Sequence, residues 1–204
     1  MKAHGIPEGR RRALFGLKEK IMNNKKALKN LVLTALFLAI GLVLPLLTGQ
    51  IKEIGNMLLP MHLPVFLCAF ICGWEYATPM AFVLPVMRSL IFGMPPIYPT
   101  ALAMAFELAA YAFVAGFIYY KLVKKQNIVT LYVSLIVAMI VGRAVWGVAQ
   151  FILLSIKGDK FTFAAFLAGA FTKAFPGIIV QLVLIPIIML ALDKANLVKF
   201  RNKE

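Results

Sequence analysis

Apolar runs long enough to cross a lipid bilayer recur along this chain. One fills residues 31–47 and another residues 128–156, and about 20 apolar residues are enough for a helix to span the hydrocarbon core. Hydrophobic residues make up 62% of the 204 and charged residues only 15%, a composition outside the range of soluble globular domains. Because backbone groups in hydrocarbon must be hydrogen-bonded within the protein, continuous apolar runs predict helices. The sequence therefore predicts an all-α integral membrane protein.

Prolines and turn-forming residues divide the apolar sequence into six predicted spans. Their approximate limits are residues 29–47, 58–74, 77–92, 100–120, 128–156 and 161–192. Pro60 and Pro64 predict a bent or partly unwound start for the second span, because proline lacks the amide hydrogen that a helix interior uses. The fifth span is longer than a bilayer requires, which indicates tilt or projection beyond the membrane.

Lysine and arginine are concentrated in three places, and their distribution predicts the orientation. Of 22 such residues, nine precede Leu31, three lie at 121–125 and four follow Asp193. Cytoplasmic segments carry this excess, so we expect a six-helix transmembrane bundle with both the N and C termini in the cytoplasm. The same clustering argues against a nucleic-acid groove as the reason for the net charge of +14.

The two ends of the chain are expected to lie outside a membrane domain of residues 29–193. Residues 1–28 form a basic segment in which apolar residues recur at helical spacing, as in a helix that lies on a membrane surface. Met22 is followed by asparagine and lysine, as at a natural start, so the alternative is that residues 1–21 are a dispensable extension. Residues 194–204 form a basic tail.

A proline-rich break separates the third and fourth predicted spans. Residues 93–99 read Gly-Met-Pro-Pro-Ile-Tyr-Pro, and neither proline nor the residue before it favours a helix interior. Arg88 precedes the break and Glu107 follows it. Irregular backbone at membrane depth is tolerated where protein buries it or water reaches it, and ionisable residues there mark functional sites. The sequence therefore predicts a small-molecule pocket that opens towards one membrane face.

The predicted topology places most intramembrane charge in the outer half of the spans. A charged side chain at mid-bilayer costs about 2.5–3.5 kcal/mol, so these groups should face the interior of the bundle. Three cations accompany one carboxylate, and an anionic or acceptor-rich ligand is one way to satisfy the excess. The candidate ligand contacts are His62, Arg88, Glu107, Tyr111, Arg143, Trp146, Gln150 and Lys173.

Each candidate also has a structural explanation. Glu107 can pair with one arginine and simply join two helices, and Lys173 can extend its ammonium group to the interface. His62 can be hydrogen-bonded within the protein, while Tyr111 and Trp146 can be ordinary packing residues. Spacing alone does not choose between these explanations and ligand binding.

The sequence gives little support for a catalytic site or a metal site. A serine nucleophile needs a neighbouring base, and His62 is the one histidine within the predicted spans. Cys68 and Cys72 are four residues apart in an apolar run, a spacing that suits small buried residues better than a zinc or redox site. We therefore predict no catalytic or metal-binding residues.

Several of these segments together resemble the substrate-binding S components of energy-coupling factor (ECF) vitamin transporters. The resemblance covers about residues 22–197. It is carried by Ala35-x-x-x-Ala39, by Leu-Pro-Met-His-Leu-Pro at 59–64 and by Arg-Ser-Leu-Ile-Phe-Gly-Met-Pro-Pro at 88–96, and further by Glu-Leu-Ala-Ala-Tyr at 107–111, Gly-Arg-Ala-Val-Trp-Gly at 142–147 and Pro-Gly-Ile-Ile-Val-Gln at 176–181.

The resemblance implies a high-affinity binder of a vitamin or vitamin precursor in a bacterial cell membrane. It implies a transmembrane coupling subunit as partner, contacted through Ala35 and Ala39, and two cytoplasmic ATPase subunits, so that this chain itself carries no cofactor. On spacing alone, the alanine pair fits packing inside this chain equally well. The excess of cations favours a pantothenate- or niacin-like substrate over a pyridoxine- or pyrimidine-type one. The alternative function is a stand-alone secondary transporter or small channel.

Overall fold

The computed structural model of the chain describes residues 8–48, 59–122, 126–159, 162–169, 174–195 and 197–198, which form helices and turns without a β-strand. The all-α prediction is confirmed for these residues. Two short segments, Ile97–Ala101 and Ile118–Leu122, flank the fourth of the α-helices; the second is a π-helical turn, whereas the first is kinked at Tyr98, which has an extended backbone (φ −114°, ψ 132°). The α-helices are α1 (Glu8–Thr48), α2 (His62–Cys72), α3 (Trp74–Phe92), α4 (Leu102–Phe117), α5 (Ile128–Lys157), α6 (Phe163–Leu167) and α7 (Phe175–Lys194).

Four helical segments are long and apolar enough to cross a membrane. They are Lys20–Leu47 within α1, Ile97–Leu122 around α4, Ile128–Lys157 and Phe175–Lys194. The six crossings and the cytoplasmic location of both termini remain predictions. From Glu8 onwards, the basic segment and the first predicted span form one uninterrupted helix, α1.

Helix α2 is short and lies in the centre of the protein. Its 11 residues span only about 16 Å, and it packs against α1, α3, α4 and α7. Phe66 and Phe70 are fully buried in the core that these helices share. The predicted irregular start is confirmed: Leu59 adopts a left-handed φ of 49°, and the helix begins only at His62, whose N–H donates to the Leu59 carbonyl at 3.0 Å.

The predicted break after α3 is also confirmed. Gly93 ends the helix at a left-handed φ of 69°, and its N–H donates to the Ser89 carbonyl at 2.9 Å. The Ser89 hydroxyl donates to the carbonyl of Pro95 at 2.5 Å, while the Tyr98 hydroxyl donates to the carbonyl of Leu153 on α5. These side-chain bonds attach the irregular segment to α3 on one side and to α5 on the other.

Helix α5 matches the predicted fifth span closely. An Asn127–Thr130 capping box starts it, in which the Thr130 N–H donates to Asn127 Oδ1 at 2.8 Å. Gly158 ends it at a left-handed φ of 84°. Helix α4 packs between α3 and α5, so residues on α4 can contact polar groups from either neighbour.

The prediction of one continuous sixth span, residues 161–192, was wrong. The structure contains the short α6 and a separate α7 that begins at Phe175 after a turn at Ala174. Pro176 lies in the first turn of α7 rather than inside a longer helix. In a helix interior its ring would clash with the carbonyl four residues earlier, whereas the first turn needs no amide hydrogen there.

Candidate functional site

A buried ion pair joins α4 to α5 inside the apolar core. Arg143 Nη1 lies 2.9 Å from Glu107 Oε1, and the Tyr111 hydroxyl donates to the same oxygen at 2.9 Å. Glu107 and Tyr111 are 1% exposed and Arg143 is 7% exposed. Because Glu107 and Tyr111 are four residues apart on α4, their side chains share one helix face. The structure thus selects Arg143 as the partner of Glu107.

A glycine on α5 makes the close approach of Tyr111 geometrically feasible. A Cβ atom built on Gly142 would lie 2.3 Å from Tyr111 Cε1, far inside van der Waals contact. The Tyr111 ring therefore packs directly against the backbone of α5, next to Arg143. It also contacts the rings of His62, at 5.3 Å between centroids, and Phe66, at 5.2 Å.

His62 brings α2 into the same cluster. Its Nε2 lies 3.7 Å from Glu107 Oε1, which is too long for a hydrogen bond, and the residue is 2% exposed. Four sequence-predicted site residues are therefore neighbours, and we call them the polar cluster: His62, Glu107, Tyr111 and Arg143. Three helices, α2, α4 and α5, contribute to it.

Several buried polar side-chain atoms have no hydrogen-bond partner among the described residues. They include both ring nitrogens of His62, Arg143 Nε, Gln150 Oε1 and Gln181 Nε2. Leaving one buried donor or acceptor unsatisfied costs about 1–3 kcal/mol. Gln150 is two turns from Arg143 on α5, so the two side chains lie on similar faces of the helix. These atoms offer both donors and an acceptor to a polar molecule.

Arg88 makes its observed contacts with residues outside the polar cluster. Its Nη1 donates to the Leu42 carbonyl on α1 at 2.8 Å, and its guanidinium lies 5.4 Å from the centroid of the Phe92 ring. The arginine is buried but has no carboxylate partner among the residues that the structure describes. Its observed contacts join α3 to α1.

Trp146 is half-buried and packs against α6. Its ring stacks on Phe166 at 6.3 Å between centroids, and a Cβ on Gly169 would lie 2.6 Å from Trp146 Cη2. Lys173 lies outside the described residues. Ala35 and Ala39 are both exposed on α1, so within the described protein they are not used for internal packing.

No group of three or more potential metal ligands occurs among the histidine, cysteine, aspartate and glutamate residues that the structure describes. Cys68 and Cys72 are buried free thiols, and Cys68 Sγ donates to the Thr34 hydroxyl at 3.7 Å. Both lie on α2 and belong to the apolar core.

Sequence reasoning did not include Gly142 and Gln181 among the candidate site residues. Gln181 is 2% exposed on α7, and a lone glutamine in an apolar span is a detectable signal of a polar interior. Gly142 directly precedes Arg143, but only the packing of α4 on α5 reveals which ring it accommodates.

Gly142→Ala is expected to destabilise the protein by about 1–3 kcal/mol, the usual cost of overpacking, although alanine favours a helix by about 1 kcal/mol over glycine. The reason is the contact with Tyr111. In a Tyr111→Val background the same substitution should cost little, because the ring is absent. Thermal unfolding of the four proteins in detergent measures this coupling. An equal cost in both backgrounds would contradict it.

The chain is similar to one known family of proteins. The family model described as "ECF transporter, substrate-specific component" matches residues 29–189, which is more than half of the chain and confirms the resemblance. No curated protein and no solved structure matches significantly. The family is a transporter component and not an enzyme family, and four helices long enough to cross a bilayer indicate a multi-pass membrane protein. The chain belongs to the family of ECF transporter substrate-specific components.

Proposed function

We propose that this chain captures a vitamin or vitamin precursor from the extracellular side of a bacterial membrane and that the polar cluster contacts it. The proposed substrate carries a carboxylate or several acceptor atoms, as pantothenate and niacin do. A pyridoxine- or pyrimidine-type precursor is the alternative. Partner subunits, a transmembrane coupling subunit and two ATPases, would then drive uptake.

The observation that carries this proposal is the buried Arg143 with its unpartnered Nε. The guanidinium donates one N–H to Glu107, while its Nε and the two ring nitrogens of His62 have no hydrogen-bond partner among the described residues. A ligand acceptor would restore the hydrogen bonds that burial removed, and charge-assisted bonds of this kind are the stronger ones.

Charge balance supports an anionic ligand. Among the buried residues that the structure describes, Arg88 and Arg143 are cations and Glu107 is the one carboxylate. The Leu42 carbonyl solvates Arg88 but does not neutralise it. The unbalanced cation is therefore Arg88, outside the polar cluster. A monoanionic solute at the cluster would complement it as a longer-range charge through the low-dielectric interior, where charges interact more strongly than in water.

The exposed face of α1 supports the proposed coupling partner. Ala35 and Ala39 lie there among large exposed apolar residues, including Val32, Leu36 and Val43. In lipid, small residues one turn apart allow a second helix to approach closely. We assign this face to the coupling subunit.

Native mass spectrometry of the purified protein tests the proposed capture directly. The expected result is one co-purifying small molecule per chain, with a carboxylate or several acceptors, that gentle activation releases. A Gln150→Leu variant should retain less of it, while Lys157→Leu, on the exposed end of the same helix, should retain it fully. Flux of the solute in liposomes that contain this chain alone would instead indicate a stand-alone transporter or channel.

A further inference from the structure

A cavity of about 550 Å³ lies far from the polar cluster, at the other end of the helices. It is bounded by α1, the turn between α2 and α3, and the end of the α4 region. Tyr120 borders it, 13 residues beyond Glu107, which corresponds to about 20 Å along a helix. The proposed capture site does not use this cavity, so it requires a separate explanation.

Basic and amide side chains form much of its wall. Lys26 and Asn23 come from α1 and Lys121 from the turn after α4. All three are exposed, and neither lysine has an ion-pair partner among the described residues. Asn30 also lines the cavity and donates only a long bond, 3.3 Å, to the Cys72 carbonyl. The wall therefore presents donors that are free to contact an anion.

The start of α3 also borders the cavity. Gly73, Trp74, Glu75 and Tyr76 line the cavity, and Gly73 provides no side chain to cap the helix. The first N–H groups of a helix have no intrahelical acceptor, and the helix dipole favours negative charge there. Glu75 is the one carboxylate in the lining, against two lysines, so the lining keeps an excess of one positive charge.

Apolar surface adjoins the same charged wall. Leu28, Leu31 and Leu122 are each more than half exposed and lie next to or between lining residues in the chain. Trp74 and Tyr120 border the cavity, and such rings are typical of the membrane–water interface. A ligand that fits would have an anionic head for the lysines and an apolar part for the neighbouring leucines.

We propose that this cavity binds the phosphate headgroup of an anionic phospholipid. Basic pockets between transmembrane helices are known to bind such headgroups. Lys26 and Lys121 contact the phosphate, Asn23 and Asn30 donate to it, and the acyl chains extend along the exposed leucines. The site is independent of the proposed solute and of its capture site.

Native mass spectrometry after reconstitution with phosphatidylglycerol tests the assignment. The wild-type protein should retain one phosphatidylglycerol through detergent exchange and should not retain phosphatidylcholine. The double variant Lys26→Gln/Lys121→Gln should bind it on the order of tenfold or more weakly. The matched control Lys20→Gln/Lys25→Gln removes the same charge from exposed α1 positions outside the cavity and should change binding less than threefold.

A third variant has the opposite expected sign. Glu75→Gln removes the one carboxylate of the lining and should tighten phosphatidylglycerol binding about threefold, whereas a nonspecific hydrophobic site would not respond. If both double variants lost phosphatidylglycerol binding equally, the loss would reflect general surface charge, and the proposal would be overturned. Displacement of the lipid by millimolar inorganic phosphate would overturn the lipid assignment in favour of a soluble anion. If the Lys26→Gln/Lys121→Gln variant kept its lipid binding but lost co-purifying subunits, the cavity would be assigned to a protein partner instead.

Discussion

Replacing Arg143 with methionine is expected to weaken binding of the co-purified solute by about 100-fold or more. Truncating one partner of a buried, hydrogen-bonded charge pair costs about 2–5 kcal/mol at a binding site. The same change leaves Glu107, at 1% exposure, without its cation, which destabilises a protein by about 3–5 kcal/mol. Isothermal titration of the purified protein measures the affinity, and thermal unfolding measures the stability.

The double variant Glu107→Gln/Arg143→Met separates these two effects. Replacing both members of a buried pair with neutral side chains of similar volume is often neutral for folding, so its unfolding temperature should return towards that of the wild type. Its affinity should remain low, because the guanidinium is still absent. Lys157→Met serves as the control, since Lys157 pairs with Asp159 at 3.5 Å on an exposed surface, where ion pairs contribute about 0–1 kcal/mol.

If the double variant regained wild-type affinity, the ion pair would only join α4 to α5, and the ligand site would have to lie elsewhere. This is the structural explanation that the sequence left open for Glu107. The contacts in the protein agree with part of it, because Glu107 does join the two helices through Arg143. The unpartnered nitrogens of His62 and Arg143 are the features that the structural explanation does not account for.

Local chemistry explains why much of the fold could be predicted. Gly93 and the prolines after it end α3 where expected, and Asn127 and Gly158 delimit α5. Each of these residues acts locally: the two glycines through a left-handed backbone, the prolines through their rings and Asn127 through its side-chain cap. The failure at residues 161–192 has a similar origin. Pro176 was placed inside a long span because the apolar run continues through it, although the first turn is the helix position that proline favours.

All four residues of the polar cluster were among the eight predicted candidates, but the pairing between them could not be predicted. Arg88 and Arg143 are equivalent partners for Glu107 in sequence, and the choice depends on how α4 is rotated and shifted relative to α3 and α5. Gly142 contributes to the placement of α4 against α5, since its lack of a side chain lets Tyr111 approach α5 closely. Such contacts between helices depend on packing over the whole core, which one sequence does not specify by pattern alone.

Ala35→Trp is expected to abolish coupled uptake, by more than 100-fold, while solute binding by the isolated protein stays unchanged. Ala35 is exposed on α1 and belongs to neither the polar cluster nor the apolar core. An indole at this position would prevent the close helix approach that small residues permit in lipid. Uptake in cells that express all subunits, together with titration of the purified variant, provides both measurements.

Ala144→Trp is the matched control, because Ala144 is an exposed alanine on α5, away from α1. It adds the same bulk and the same apolar surface to a helix of the bundle, so uptake should be retained. Ala39→Trp, one turn from Ala35, should reproduce the loss, since both residues belong to the proposed contact. Unchanged uptake in both α1 variants would remove this face from the coupling interface. Equal loss in the α5 variant would show that tryptophan at any lipid-facing position impairs assembly, so that the effect at Ala35 would identify no partner surface.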